Sequence, residues 1–389
     1  MADPGMQNSG AAVAQGGNAA ILVVGELPGG ERESIRFAAN RASAETAFCA
    51  DIGEAQEQLS EALDVPTCVL IDKRVGLEAF AAWVRDRARF FTMPIVALVP
   101  HPSDAEFRAA YAAGADDTLV KGDLGGITRR LANLANRPMN ARPPANQGLA
   151  LIGFPDLPRR RVLGRSLRQA GFEVLFAADS SELVRLVVAK PKPTLVVVNP
   201  TFPPDGGRQV IADVRKLVGA KLPALILPAG DDEVVSQEEN TDSAQAGKLL
   251  FFAEEALRAD VRDQRASRRV LHHGLCAFRE AGSFYPIYGL THNISRQGLY
   301  VRTLDPPRPG CTLWFEMRAP HEGSAIHLRG QVVWRREPSQ MGGAAPPGFG
   351  MRIEACACAQ QDLELYERGY DALCQQDSGD LDLAATVNT

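Results

Sequence analysis

The chain has 389 residues, 45% of them hydrophobic and 23% charged, with a formal net charge of −5. That length is too great for one ordinary hydrophobic core and suits two or three domains, while near-average apolar and charged fractions exclude a wholly disordered chain. A slightly acidic balance without any long basic block argues against a nucleic-acid-binding surface.

Residues 1–18 are rich in glycine and alanine and lack the basic-then-apolar order of a signal peptide, so they read as a disordered N-terminus. An α/β domain is expected over 19–137. Its buried-strand runs are Ala20–Gly25, Thr67–Asp72, Pro94–Val99 and Asp117–Lys121, with a helix over about Gly30–Arg41 after the first. Short apolar runs alternating with amphipathic helices predict a parallel sheet covered on both faces. The proline-rich, aperiodic stretch at 138–147 marks a linker.

The pattern then repeats over 148–263. The second copy has strands at Leu149–Ile152, Phe172–Ala177, Thr194–Asn199 and Ala224–Leu227, with a helix over about Leu157–Ala170. Asp231–Ala246 is polar and acidic and reads as a loop. Lys248–Phe252 reads as a fifth strand, followed by a helix from about Ala253 to Asp263 that leads into the next domain.

From 264 to 375 the periodicity changes to two. Leu299–Thr303, Thr312–Glu316 and Ile326–Trp334 alternate like strands between turns rich in glycine and proline, which predicts an antiparallel barrel. Gly342–Gly348 reads as a hairpin loop, and a helix over about Ala359–Cys374 closes the domain. The polar tail at 376–389 reads as disordered.

Two short elements carry the chemistry. Arg265-Ala-Ser-Arg-Arg269 places two arginines four apart ahead of the first barrel strand, and Asn293-Ile-Ser-Arg-Gln-Gly298 sits at a strand-to-strand turn. Together, and in this order, they resemble the two-part signature of PilZ domains. The runs Leu299–Arg302, Gly330–Trp334 and Gly348–Ile353 are similar to successive strands of that barrel. The resemblance implies a ligand, cyclic di-GMP. Guanidinium groups can fork onto phosphate oxygens or the O6 and N7 edge of guanine, and they stack on purine faces. In this reading Arg265 and Arg269 wrap the ligand, Asn293 and Ser295 bond a guanine edge, and Gly298 permits a turn close to it. The family often has aspartate at the position of Asn293 and arginine at that of Gln264, which leaves affinity and ligand stoichiometry open.

The first α/β domain resembles a response-regulator receiver, most clearly at Ala113–Lys121. By that resemblance Asp72 is the candidate phosphoacceptor, with Lys121 pairing the phosphoryl group and Glu26 in one acidic slot. Mg²⁺ at Glu26 and Asp72 is implied only if the domain is phosphorylated. Gly25 stands in the other acidic slot and Val99 replaces the switch hydroxyl, so a pseudo-receiver used for docking or dimerisation is the favoured reading. In the second copy Gly153, Phe154, Asn199 and Pro228 replace the acidic and hydroxyl residues, leaving a scaffold.

Other chemistries find little support. The odd count of seven cysteines, with Cys49 and Cys68 inside apolar runs, reads as reduced thiols in a cytoplasmic protein. Cys356 and Cys358, and the adjacent His272 and His273, lack a second pair at zinc spacing and carry no metal reading. Gly230–Glu233 only faintly resembles a cyclase signature, and no P-loop or nucleophile elbow occurs, so no enzyme is expected. No apolar run reaches membrane-spanning length. The expectation is two doubly wound, flavodoxin-like receiver-type domains followed by a PilZ-like antiparallel β-barrel with a C-terminal helix. Such a chain would be a cyclic di-GMP effector acting on an unidentified protein partner, with a homodimer left open. The alternative is a nucleotide-blind adaptor of docking modules, favoured by an occluded or collapsed site.

Overall fold

The computed structural model describes residues 19–87, 89–135, 147–189, 191–227, 249–255, 257, 267–337 and 345–380. Outside them lie residues 1–18, most of the 138–147 linker, Pro228, Gly230–Glu233, the acidic stretch 231–246, Gln264, Arg265, residues 342–344 of the 342–348 loop and the tail from 381.

The first domain is a five-stranded parallel sheet in the order β2-β1-β3-β4-β5. Its strands are β1 (Ala19–Val24), β2 (Ala44–Cys49), β3 (Cys68–Asp72), β4 (Ile95–Val99) and β5 (Asp117–Val120). Helices α1 (Gly29–Arg41), α2 (Ile52–Glu61), α3 (Leu77–Arg85), α4 (Asp104–Ala112) and α5 (Leu124–Ala135) cover its two faces. Every residue of β3 and β4 is buried, as continuous apolar runs require. Side-chain caps begin two of the helices: Asp51 accepts from the Glu54 N–H and Ser103 from the Glu106 N–H. The sequence does not announce β2. It is an edge strand with a mixed, half-exposed composition, and only pairing with β1 defines it.

The second domain has β6 (Leu149–Gly153), α6 (Leu157–Gln169), β7 (Glu173–Ala177), α7 (Ser180–Ala189), β8 (Leu195–Val198), α8 (Gly207–Val218) and β9 (Ala224–Ile226), with strands in the order β7-β6-β8-β9. The expected strand at Lys248–Phe252 is instead helical over 249–255, here α9. Leu249, Phe252 and Ala253 lie at helical spacing and are buried in the same core as Ile152, Phe154 and Leu163. A short apolar run satisfies a buried strand and a buried helix face equally well, and packing decided between them.

The third domain is a closed barrel of six antiparallel strands. They are β11 (Leu275–Glu280), β12 (Ile287–Ser295), β13 (Gly298–Arg302), β14 (Thr312–Arg318), β15 (Ala325–Arg336) and β16 (Gly348–Ile353), with β10 (Val270–Leu271) added beside β12. The β12–β13 pairing completes the ring. The closing helix, α10 (Gln360–Asp380), runs past its expected end near Cys374 and buries Tyr366 and Tyr370 in the barrel core.

The barrel is seated on the first domain. Leu290 joins the core on one side of that domain's sheet and Leu304 the core on the other. Burial of each is worth about 1.5–3 kcal/mol. Between them Arg130, fully buried, donates to the Asp117 carboxylate at 2.9 Å and to the Tyr288 carbonyl at 2.8 Å. The same carboxylate accepts from the Leu304 N–H at 2.8 Å. On the other flank, Phe251 of α9 packs edge-on against His292 of β12, with ring centroids 6.1 Å apart.

Candidate functional site

On the outer face of the barrel an open cleft with a cavity volume of about 190 Å³ is lined by Arg269, Asn293, Ser295 and Gly298, beside Tyr300, Trp334 and Arg352. Four of the five residues expected to bind ligand therefore meet in one place; the fifth, Arg265, lies outside the described residues. Asn293 stands opposite Tyr300 and Ser295 opposite Gly298 in the β12–β13 pair. The Ser295 hydroxyl donates to the Gly298 carbonyl at 3.1 Å. Beneath this turn, the Tyr366 hydroxyl lies 2.9 Å from the carbonyl oxygens of both Ser295 and Gly298. One turn along α10, the Tyr370 hydroxyl donates to the Arg268 carbonyl at 2.8 Å. The closing helix thus fixes both the turn and the arm that presents Arg269.

Gly298 has a structural reason of its own. A Cβ there would lie 2.3 Å from the Met351 carbonyl oxygen, so close approach of β16 excludes any side chain. Gly350 acts similarly on the cleft floor, where a Cβ would lie 2.4 Å from Trp334 Nε1. The indole lies over that glycine and stacks on Tyr300 at 4.9 Å, with ring planes 11° apart. This aromatic shelf was not anticipated as part of the site. Tyr300, Trp334 and Gly350 sit on three different strands, and only the pairings of Gly350 with both Tyr300 and Trp334 bring them together. Chemically, the cleft offers a guanidinium, amide and hydroxyl groups and a flat π-surface, which suits a planar heterocycle carrying negative charge.

The first domain's candidate site has a different character. Asp72, at the end of β3, accepts from Lys121 Nζ at 2.7 Å and from the Arg74 guanidinium at 2.8 and 3.1 Å. Burial pushes its carboxyl up, but the bonds from Arg74 and Lys121 outweigh that and hold it at about 2. Glu26 is exposed, and besides Asp72 it is Glu31 that comes within 4.0 Å of Lys121. Gly25 has φ +131°, and a Cβ there would meet the Asp72 Cβ at 2.8 Å, so no acidic residue fits that slot. Val99 is fully buried in the core. With both Asp72 oxygens taken by cationic side chains, these residues do not fit a Mg²⁺ ion. Among the described residues no group of His, Cys, Asp or Glu forms a metal-holding cluster.

In the second domain the corresponding place is filled by packing. A Cβ on Gly153 would touch the buried Phe202 ring at 2.8 Å. The Asn199 side-chain oxygen is satisfied locally, accepting from the Thr201 N–H and hydroxyl at 2.8 and 2.6 Å.

The PilZ domain family model matches residues 263–364. No curated protein matches the chain. The PilZ domain with c-di-GMP of YcgR from Escherichia coli is similar in structure at 13% identity, covering 30% of this chain and 95% of that one, with a TM-score of 0.24. The chemotaxis response regulator CheY4 of Vibrio cholerae is similar at 21% identity, covering 30% and 99%, with a TM-score of 0.27. A protein described as a probable two-component system response regulator/GGDEF domain protein is similar at 17% identity, covering 62% and 99%, with a TM-score of 0.30. Among the described residues no helix is long and apolar enough to cross a membrane. Residues 263–364 therefore match the PilZ domain family and lie behind two α/β domains built on parallel sheets.

Proposed function

We propose that the chain is a cyclic di-GMP effector that binds the nucleotide in the barrel cleft and carries the signal to a protein partner without chemistry of its own. The observation that carries this reading is the convergence of Arg269, Asn293, Ser295 and Gly298 on one open cleft in a PilZ domain. Arg269, with Arg265 from the same arm, supplies guanidinium groups for phosphate and for purine stacking. Asn293 and Ser295 meet a guanine edge, and Trp334 supports its face. The open cleft argues against the nucleotide-blind adaptor. Asp72 serves in this reading as one member of a fixed ion cluster with Arg74 and Lys121, so the first domain works as a docking module. A second copy of the chain is one candidate for the partner.

Calorimetric titration of the full chain with cyclic di-GMP tests the proposal, beside the Arg265→Ala/Arg269→Ala variant. Micromolar binding, about −8 kcal/mol, that is lost in the variant supports it. Absence of binding by the wild type at tens of micromolar leaves the adaptor reading in its place.

A further inference from the structure

We infer that Arg302 is a positioning residue for the nucleotide cleft, held in place by the first domain; the inference rests on the cyclic di-GMP reading of that cleft. Tyr300 and Arg302 share the outer face of β13, about 7 Å apart along the strand. Tyr300 forms the cleft wall. Arg302 leaves the barrel, donating to the Ala115 carbonyl of the first domain at 2.8 Å with its guanidinium 4.4 Å from the Tyr111 ring centroid. The Tyr111 hydroxyl in turn donates to Asp117 at 3.0 Å, and Asp117 accepts from the Leu304 N–H. On the neighbouring strand, Arg130 grips the Tyr288 carbonyl. The two strands that carry Asn293, Ser295, Gly298 and Tyr300 are thus anchored in the first domain at their opposite ends.

The anchoring matters because the β12–β13 ladder is irregular between the two places. Thr291 pairs with Val301, yet Asn293 pairs with Tyr300, so His292 is an extra residue in the ladder. The buried His292 Nε2 has no hydrogen-bond partner among the described residues, and the His292 carbonyl accepts only a long bond from the His272 N–H at 3.3 Å. A regular register would turn Asn293 to the barrel interior with Thr291. Fixing Arg302, Leu304 and Tyr288 from outside sets that register and with it the direction of Asn293. By reciprocity, ligand in the cleft stabilises the contact between barrel and first domain.

The test uses the full chain and three variants. Arg302→Met keeps the apolar stem over Tyr111 and removes the bond to Ala115. Arg302→Lys restores a donor. Asp305→Ala loosens the rim of the same interface, where Asp305 accepts from Arg129 and Asn133. Cyclic di-GMP affinity is measured by calorimetry, folding by thermal melting, and exchange of the Leu304 amide hydrogen with and without ligand. The expected result is roughly 5- to 20-fold weaker binding in Arg302→Met at nearly unchanged melting temperature. Partial recovery in Arg302→Lys and slower Leu304 exchange in liganded wild type are expected with it. Should Arg302→Met fail to fold, the same readouts on Asp305→Ala decide. Wild-type binding with both variants within twofold, and Leu304 exchange indifferent to ligand, overturns the positioning role alone. Absence of wild-type binding overturns the reading of the cleft and this role with it.

Discussion

Asn293 faces Tyr300 across the β12–β13 pair although Thr291, two residues earlier, faces Val301. A second irregularity does the same on β15, where Val332 pairs with Met351 and Trp334 with Gly350. Val332 and Met351 belong to the barrel core, so strict alternation would have sent Trp334 inward as well. Two bulges therefore turn an amide and an indole onto the same outer face, and the cleft exists because of them.

Removing the shelf should weaken nucleotide binding more than folding. Stacking of a base on an aromatic side chain is worth about 1–3 kcal/mol. Trp334→Ala is expected to raise the dissociation constant for cyclic di-GMP by about 10- to 100-fold. Gly350→Ala should do the same less severely, since its methyl group displaces the indole. Titration of both variants checks this, and wild-type affinity in both would remove Trp334 from the site.

The ion cluster at Asp72 should resist phosphorylation. Incubation with acetyl phosphate and Mg²⁺ is expected to leave the intact mass unchanged, because Arg74 and Lys121 occupy both carboxylate oxygens and Val99 offers no hydroxyl. Asp72→Asn should lower the melting temperature, since it leaves the partly buried Lys121 short of its counter-charge. A mass gain of one phosphoryl group that disappears in Asp72→Asn would restore this domain as a switch.

Breaking the first domain's buried pair on which the barrel sits should be costly. Arg130→Ala leaves the fully buried Asp117 carboxylate without its main counter-charge and is expected to destabilise the chain by about 3–5 kcal/mol. Urea unfolding of the full chain measures it. Arg36→Ala, which breaks an exposed pair with Glu33, should cost at most about 1 kcal/mol and serves as the comparison.

Acid should loosen the junction between α9 and the barrel. Burial, then the charge of Arg108, lowers His272 from 6.5 to about 4. Burial, then His273, Arg302 and Arg269, holds His292 well below its ordinary value. Both are neutral in the folded chain while the unfolded chain takes up protons near 6.5. Their contribution is therefore complete above that pH and is lost as pH falls from about 6.5 toward 4. Thermal melts between pH 8 and pH 5 should show the decline, and His292→Phe, which keeps a ring against Phe251 and cannot protonate, should flatten it.

Much of the architecture was legible in the sequence because it rests on local periodicity. Continuous runs such as Cys68–Asp72 and Ile95–Val99, recurring between amphipathic helices, read as buried parallel strands, and alternation in Thr312–Arg318 reads as a half-buried antiparallel one. The paired motifs around Arg269 and Asn293 pointed to residues that line one cleft, since that combination of guanidinium, amide and small residues is legible by type and spacing. The tertiary structure alone decided the rest. Whether Leu249–Phe252 became strand or helix depended on which core it met. The direction of Trp334 depended on a one-residue bulge that periodicity cannot anticipate. The bonds from the Leu304 N–H to Asp117 and from Arg302 to the Ala115 carbonyl join domains more than a hundred residues apart in the chain, and contacts of that range follow from packing, which no local pattern encodes.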